Sequence, residues 1–416
     1  MTTVVLGAGV VGVTTAYRLA KEGDRVILVD RQPGAALETS FANGGLVTPG
    51  MSDPWAAPGV PKVMLTHLGR EDSPILLRLR ALPGMLGWGL AFLANCRPAT
   101  WRRNTESVLR LAVHSRDALT AITAETGLRY DRCDQGNLRI YRDPVAFAKA
   151  AKAAAMYREL GQDVRQLDPA AALALEPALG PVGGEIAGGI HYADDHSGDC
   201  HVFTQGLAKA AAGLGVEFRT GVSATGFEVS GGRVAALATS AGRIAGDRFV
   251  LAAGSYSTAL ARSLGFALPV RPCKGYAATI EAGGWNKAPK IPVCDYDRKM
   301  AVTPLGTRIR LAGTAEFAGF DLAPNQARSA MLLEGFRLLF PEFPGGPTQF
   351  WHGLRPLCPD GRPVVGRSPI ANLYINAGHG PLGWTLSCGS ADLLADLMAG
   401  RTPAVPAADF ALERFR

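Results

Sequence analysis

No apolar run in the chain is long enough to cross a bilayer. The longest, Ala81 to Asn95, is broken by Pro83, Gly84, Gly87 and Gly89, and it falls short of the roughly 20 residues a spanning helix needs. The seven cysteines, at 96, 133, 200, 273, 294, 358 and 388, contain no Cys-x-x-Cys pair. An odd, scattered set in a large chain excludes a disulfide scaffold and a zinc cluster, so no metal is expected and the compartment reads as reducing. The 50 glycines have no three-residue period, and a chain that is 47% apolar is too hydrophobic to stay disordered. No internal repeat of roughly 20–50 residues is present. Val4-Val5-Leu6 runs into a glycine turn and not into a cleavage site, which argues against a signal peptide and for a cytoplasmic protein. The net charge of +7 is spread out, densest at Arg97, Arg102 and Arg103. Without a basic arm or a stacked-aromatic motif, no nucleic-acid partner is expected.

What remains is a folded chain of 416 residues, too long for one hydrophobic core, so two domains are expected. Thr3 to Leu6 reads as a buried strand, and Gly7-Ala8-Gly9-Val10-Val11-Gly12 as a turn into a helix reaching about Lys21. Gly7 makes the tight turn, Gly9 lets backbone approach a pyrophosphate, and Gly12 lets the helix pack on the strand. The helix amino terminus, at Val10 and Val11, then offers its positive end to phosphate. Asp24 to Asp30 reads as a second strand, and Asp30 stands where a carboxylate accepts both ribose hydroxyls of an adenosine. Arg31 follows, then a loop of small and polar residues in which Ser40 and Asn43 offer side-chain donors and Gly44-Gly45 offers bare backbone to a long cofactor. Further on, the buried strand ending Ala252-Ala253-Gly254 sets bare backbone beside a nucleotide.

Between Met51 and Glu125 the sequence predicts helical stretches broken by Pro and Gly, including an Arg-bearing apolar segment from Pro74 to Trp101. Asn137 to Tyr141, Gly189 to Tyr192 and Val216 to Val222 read as strands, and Pro144 to Leu160 and His201 to Leu214 as helices. A small meander follows, with turns at Gly231-Gly232 and Ala241-Gly242. Met300 to Gly313 reads as a hairpin around Gly306, and Gln326 to Phe340 as a helix. The prolines and glycines from Trp351 to Gly366 predict a sharply shaped backbone that holds Arg355 inward, where its two-pronged donor can bind an anion or make a structural ion pair. Leu373 to Ala377 reads as a strand, then Gly378-His379-Gly380-Pro381-Leu382-Gly383-Trp384-Thr385 as a second glycine turn before a helix to Met398. Such a helix terminus can stabilise negative charge on a reduced flavin. His379 is read as a turn histidine satisfied by its neighbours, with a catalytic role as the alternative.

With Pro33 to Ser40, Pro54 to Pro61, Gly198-Asp199-Cys200, Gly254 to Thr258, Lys274-Gly275-Tyr276 and Gly353-Leu354-Arg355-Pro356 added, the chain resembles the FAD-dependent D-amino acid oxidase superfamily nearly end to end. The resemblance implies an α/β fold: a discontinuous Rossmann-like FAD-binding domain (1–50, 145–265 and 350–416) and a substrate domain with antiparallel sheet and helices (51–144 and 266–349). It implies FAD and not NAD, bound noncovalently, since Cys358 misses the position of the flavin-attaching cysteine. Gly380, Gly383, Trp384 and Thr385 fall among the cofactor contacts, Val222 makes a backbone contact to adenine, and Arg355 binds the substrate carboxylate. The implied reaction is oxidative deamination of D-amino acids to 2-oxo acids and ammonia by hydride transfer to flavin N5, with electrons passed to a respiratory quinone or another acceptor. The alternative is oxidation of a secondary amine such as D-proline, hydroxyproline or sarcosine. The family's substrate tyrosine is missing near Ala301, where Met300 and Val302 stand, so Tyr276 or Tyr296 is expected to replace it. Lys274 is read beside flavin or substrate, or as structural. Peripheral contact with the inner face of the cell membrane, through Leu76, Leu77, Leu79, Leu82, Met85, Leu86, Trp88, Leu90 and Phe92 with Arg78, Arg80 and Arg97, is a further expectation.

Overall fold

The alternation of side chains along Thr2–Leu6 decides how the first layer is built. In the computed structural model, which describes residues 1–62, 71, 73 and 75–415, Val5 faces one hydrophobic core while Val4 and Leu6 face another. Both faces of this strand are therefore covered, as a central parallel strand requires. It lies inside a six-stranded sheet in the order Val364–Arg367, Leu373–Ala377, Arg248–Leu251, Thr2–Leu6, Arg25–Val29, Glu217–Arg219, parallel except for the first pair. The helices Val10–Lys21, Cys200–Gly213 and Gly383–Ala399 fill one side. The meander Ala224–Ser230, Arg233–Thr239, Gly242–Ala245 covers the other, through Val234, Leu237 and Ile244.

A second sheet of nine strands carries the rest of the architecture. Its order is Thr348–Leu357, Arg271–Glu281, Arg308–Phe317, Met300–Leu305, Val293–Asp295, Asn137–Tyr141, Gly188–Tyr192, Val164–Leu167, with Ile75–Leu77 added to Arg308–Phe317. The helix Gln326–Leu339 packs Leu332, Phe336 and Leu339 against Tyr276, Ala278, Ile280 and Leu311 on one face. Val164–Leu167, Gly188–Tyr192 and Thr348–Leu357 all hydrogen-bond within this sheet. Sheet membership therefore changes neither at residue 145 nor at residue 350, where the sequence reading set its domain boundaries.

Three local expectations differ from the structure. Pro98–Thr126 is one uninterrupted 29-residue helix, with Pro98 in its first turn and Gly127 left-handed just past its end. The strand expected over 216–222 is confined to Glu217–Arg219. Of the segment 351–366 expected to be sharply shaped, 351–357 belongs to the continuous ten-residue strand Thr348–Leu357, and the turn is confined to 358–363. The strand stands at the sheet edge, where Pro356 costs no ladder bond on the open side. Pro74 lies outside the described residues. No helix among the described residues is long and apolar enough to cross a membrane.

Candidate active site

Between the two sheets lies a cavity of about 1500 Å³, larger than the roughly 300–1,000 Å³ of a drug-sized ligand site. Its first wall is the glycine turn. A Cβ at Gly7 would come 2.5 Å from the Ala252 carbonyl oxygen, and one at Gly12 would come 1.7 Å from the Gly7 carbonyl oxygen. Gly7, Gly9, Val10 and Val11 line the cavity, whereas Gly12 works only in the packing behind it.

Asp30 lines the same wall; its carboxylate accepts the Ala8 N–H at 2.6 Å and the Gln32 N–H at 2.7 Å. Burial lifts its pKa despite those two donors. Arg31 lies over the Tyr256 ring, 3.9 Å from its centroid. Ser40 Oγ accepts the Val10 N–H at 3.0 Å, which leaves its own hydroxyl hydrogen to donate. Asn43 turns its Oδ1 onto the Gly45 N–H at 3.0 Å, so that Asn43 and Gly44 face the cavity and Gly45 does not. Ala253 and Gly254 line it; Val222 does not, its N–H being donated to the Asp30 carbonyl at 2.9 Å, and Ser223, Ala224 and Thr225 stand there instead. Gly380, Gly383, Trp384 and Thr385 close the far end at the amino terminus of Gly383–Ala399. A glycine cradle, a half-buried carboxylate at its edge and a second helix terminus opening onto so large a cavity fit a dinucleotide with an extended ring system.

The substrate-side wall is the open face of the nine-stranded sheet. Arg355 lies on its edge strand, and its guanidinium crosses over Gly275, where a Cβ would come 2.2 Å from the guanidinium carbon. Nη1 donates to the Thr314 carbonyl at 2.8 Å. Among the described residues no carboxylate forms an ion pair with Arg355. Burial lowers its pKa, offset only by Cys273, so it is a desolvated cation facing open space. Thr314 adopts φ +53° at a shift of strand register, a conformation rare outside glycine. It supplies the carbonyl that aims Arg355, and nothing in the sequence marks it.

Of the other expected substrate residues, Lys274 does not face the cavity: it is 1% exposed and its ammonium donates to the Ala323 carbonyl at 2.9 Å and pairs with Glu316 at 3.4 Å. Tyr276 lines the cavity but its hydroxyl donates to Glu316. Burial alone would raise the Glu316 carboxyl; the bonds from Tyr276 and Arg78 and the charge of Lys274 hold it below its usual value. Tyr296, 40% exposed at the cavity, keeps a hydroxyl with no partner among the described residues. His379 is buried, bonded at Nε2 to Ser390 Oγ at 2.9 Å, and burial pushes its pKa down to about 3, which leaves it neutral and unsuited to proton transfer. Of the nine apolar residues expected to meet lipid, Leu76, Trp88 and Phe92 are buried in the protein's own cores. Arg78 and Arg80 are held by Glu71 and Glu316 and by Asp321.

A family model described as DAO, FAD dependent oxidoreductase, matches residues 2–397. A D-amino acid dehydrogenase of Paramagnetospirillum magneticum is 48% identical over 100% of this chain and 99% of its own length. One from Cereibacter sphaeroides is 46% identical over 100% and 95%. Among solved structures, L-proline dehydrogenase from P. horikoshii superposes with a TM-score of 0.79 at 18% identity over 100% of this chain and 97% of that one. Glycine oxidase from Geobacillus kaustophilus gives 0.79 at 22% identity over 99% and 97%; likenesses this remote establish the shared fold.

Proposed function

The chain belongs to the DAO family of FAD dependent oxidoreductases, and we propose that it catalyses the oxidative deamination of D-amino acids to 2-oxo acids and ammonia. The observation that carries this reading is Arg355, a half-buried cation on the cavity wall that no carboxylate neutralises among the described residues. Full-length relatives named for this activity support it. Bound FAD supplies the hydride acceptor, at flavin N5. The chain's own residues bind and orient. Arg355 takes the substrate carboxylate through two parallel donors, which restricts how Cα–H is presented. The amine is oxidised in its neutral form, and the product imine hydrolyses to the 2-oxo acid and ammonia. Asp30 holds the adenosine ribose, and the Gly7 to Val11 turn holds the pyrophosphate. FAD is held noncovalently: Cys294 is the one cysteine lining the cavity among the described residues, and burial pushes its thiol up to about 11.

Electrons leave to a respiratory quinone or another acceptor. Leu79, Leu86 and Leu90 are 68%, 67% and 70% exposed, and Leu86 and Leu90 also line the cavity, which supports contact with a lipid surface that holds such an acceptor. Because Arg78 and Arg80 are paired, this contact is apolar first. Binding to anionic liposomes at low salt tests it, and a protein left wholly in the supernatant removes it. A requirement for a partner chain is a further proposal, tested by whether the purified chain alone reduces a quinone analogue.

The decisive experiment for the chemistry is anaerobic flavin absorbance on adding D-alanine, L-alanine and D-proline in turn. Bleaching by D-alanine and not by L-alanine is expected. Bleaching by D-proline alone would move the substrate to secondary amines.

A further inference from the structure

The sheet that carries Arg355 on one edge strand holds a second group of charged side chains five strands away. Arg139 lies on Asn137–Tyr141, about 24 Å from Arg355 along the sheet at the usual strand spacing, so one small amino acid cannot reach both. Its guanidinium rests over the Tyr192 ring, 5.0 Å from the centroid, and its Nη2 reaches the Gly50 carbonyl at 3.5 Å. Lys299 stands exposed at the rim. Its backbone is left-handed, with φ +53°, which costs strain in a residue other than glycine, and its ammonium lies over the Tyr296 ring, 3.2 Å from the centroid. Loss of water around that ammonium, and next the charge of Arg139, push its pKa down to about 8. Asp53 completes the group, its Oδ1 accepting the Tyr157 hydroxyl at 3.1 Å. All three side chains line the cavity, and among the described residues none of the three forms an ion pair.

The other carboxylates nearby are already engaged. Asp295 pairs with Arg142 at 2.7 Å and with Arg298 at 3.0 Å, Asp297 accepts the Arg142 N–H at 2.8 Å, and Asp195 accepts from Thr48 and Gly50. What stays open is two cations and one carboxylate within electrostatic reach of one another. That set complements a zwitterion, with the carboxylate held by Arg139 and Lys299 and the ammonium by Asp53. This end of the cavity also meets solvent, since Tyr296, Asp297 and Lys299 are exposed. The exposed part of the cavity wall at Leu86 and Leu90 is apolar and offers a zwitterion no partner.

Resting on the D-amino acid reading above, we propose that Arg139, Lys299 and Asp53 form a second binding site, at a polar mouth of the cavity, that takes the zwitterion of an amino acid. The site is separate from the one at Arg355 and takes no part in hydride transfer. It recognises only the two charges that every amino acid carries, so it does not distinguish D from L. Losing one hydrogen bond to a charged group corresponds to about tenfold or more in affinity, which is the weakening expected at this site from Arg139→Gln. For the exposed Lys299, where water screens the charge, Lys299→Gln should weaken it about threefold.

The test is equilibrium dialysis of radiolabelled alanine against the FAD-loaded enzyme. With the wild type kept reduced under anaerobic conditions, so that substrate is not consumed, two D-alanine molecules should bind per flavin. In Arg355→Leu, oxidised and with an unchanged flavin spectrum, one L-alanine per flavin should remain. Adding Arg139→Gln or Lys299→Gln to that variant should weaken this binding by the factors given, and propionate or ethylamine, each carrying one of the two charges, should not displace it at equal concentration. The wild-type stoichiometry decides even if no variant folds. A single D-alanine per flavin in the wild type, or L-alanine binding in Arg355→Leu that is indifferent to Arg139→Gln, would overturn the inference and leave the D-amino acid reading standing. Failure of D-alanine to bleach the oxidised flavin would overturn the reading on which it rests.

Discussion

A methyl group at position 275 has nowhere to go, because the Arg355 guanidinium already lies where the Cβ would stand, with its three nearest atoms 2.2 to 2.5 Å away. Gly275→Ala should therefore push Arg355 off the Thr314 carbonyl without touching the flavin side of the cavity. Losing an aligned, desolvated guanidinium costs several kcal/mol, so kcat/KM for a D-amino acid should fall by about a hundredfold or more. Flavin content should be unchanged; steady-state kinetics together with the absorbance of the purified variant check both statements. The sequence exposes half of this arrangement. Arg355 stands between Leu354 and Pro356, where a solvated cation gains little, and Gly275 falls in the Lys274-Gly275-Tyr276 segment that shares in the family resemblance. Thr314 was not legible, because its role rests on a backbone carbonyl at a register shift, and a carbonyl leaves no mark on residue identity.

Among the elements, the turn from the first strand into Val10–Lys21 is the most tightly determined. A side chain at Gly12 collides with the Gly7 carbonyl oxygen, which is backbone and cannot move aside, so Gly12→Val should give a protein that purifies without flavin and does not take it up. Absorbance after incubation with excess FAD measures this, and a yellow variant with normal activity would contradict it. The loop lining the cavity at Leu46, Thr48, Met51 and Asp53 is fastened differently. Buried Asp195 accepts the Thr48 hydroxyl and the Gly50 N–H, the latter at 3.0 Å. Burial raises its pKa from 3.8 to about 6, against these donors and the nearby Arg139. Since the folded value lies above the unfolded one, the folded state holds the extra proton between about pH 4 and 6, and this group lowers stability as pH rises through that window, fully so above it. Asp195→Asn cannot ionise, so its stability relative to the wild type should improve from pH 4 to pH 6 and stay level beyond, whatever constant loss the altered hydrogen bonds bring. Urea midpoints at several pH values read the difference, and a flat difference would remove the account. Strands and helices with strict periodicity, such as Asn137–Tyr141 and Gln326–Leu339, were legible from sequence alone. The edge strand Thr348–Leu357 was not, because Gly353 and Pro356, with the prolines and glycines that follow the strand, mimic a bend, and its place at the sheet edge makes Pro356 harmless.

At the scale of the whole molecule, the nine-stranded sheet gathers segments from Ile75–Leu77 to Thr348–Leu357, so no boundary drawn along the sequence can divide it, and composition does not change where sheet membership does. The two sheets leave about 1500 Å³ between them, lined largely by apolar side chains and by backbone from both. On the noncovalent reading proposed above, a cofactor there joins the halves by contact alone; Cys294 is the cavity's cysteine among the described residues, and burial pushes its thiol up to about 11. Two outcomes follow together. Acid or heat precipitation should release all of the flavin into the supernatant as FAD. Added FAD should also stabilise the apoprotein by mass action, by about 2.7 kcal/mol at a hundredfold excess over Kd, with the thermal midpoint rising as the logarithm of FAD concentration. Flavin that stays with the precipitate would show a covalent link. A midpoint independent of FAD would mean that the folded protein does not bind the cofactor.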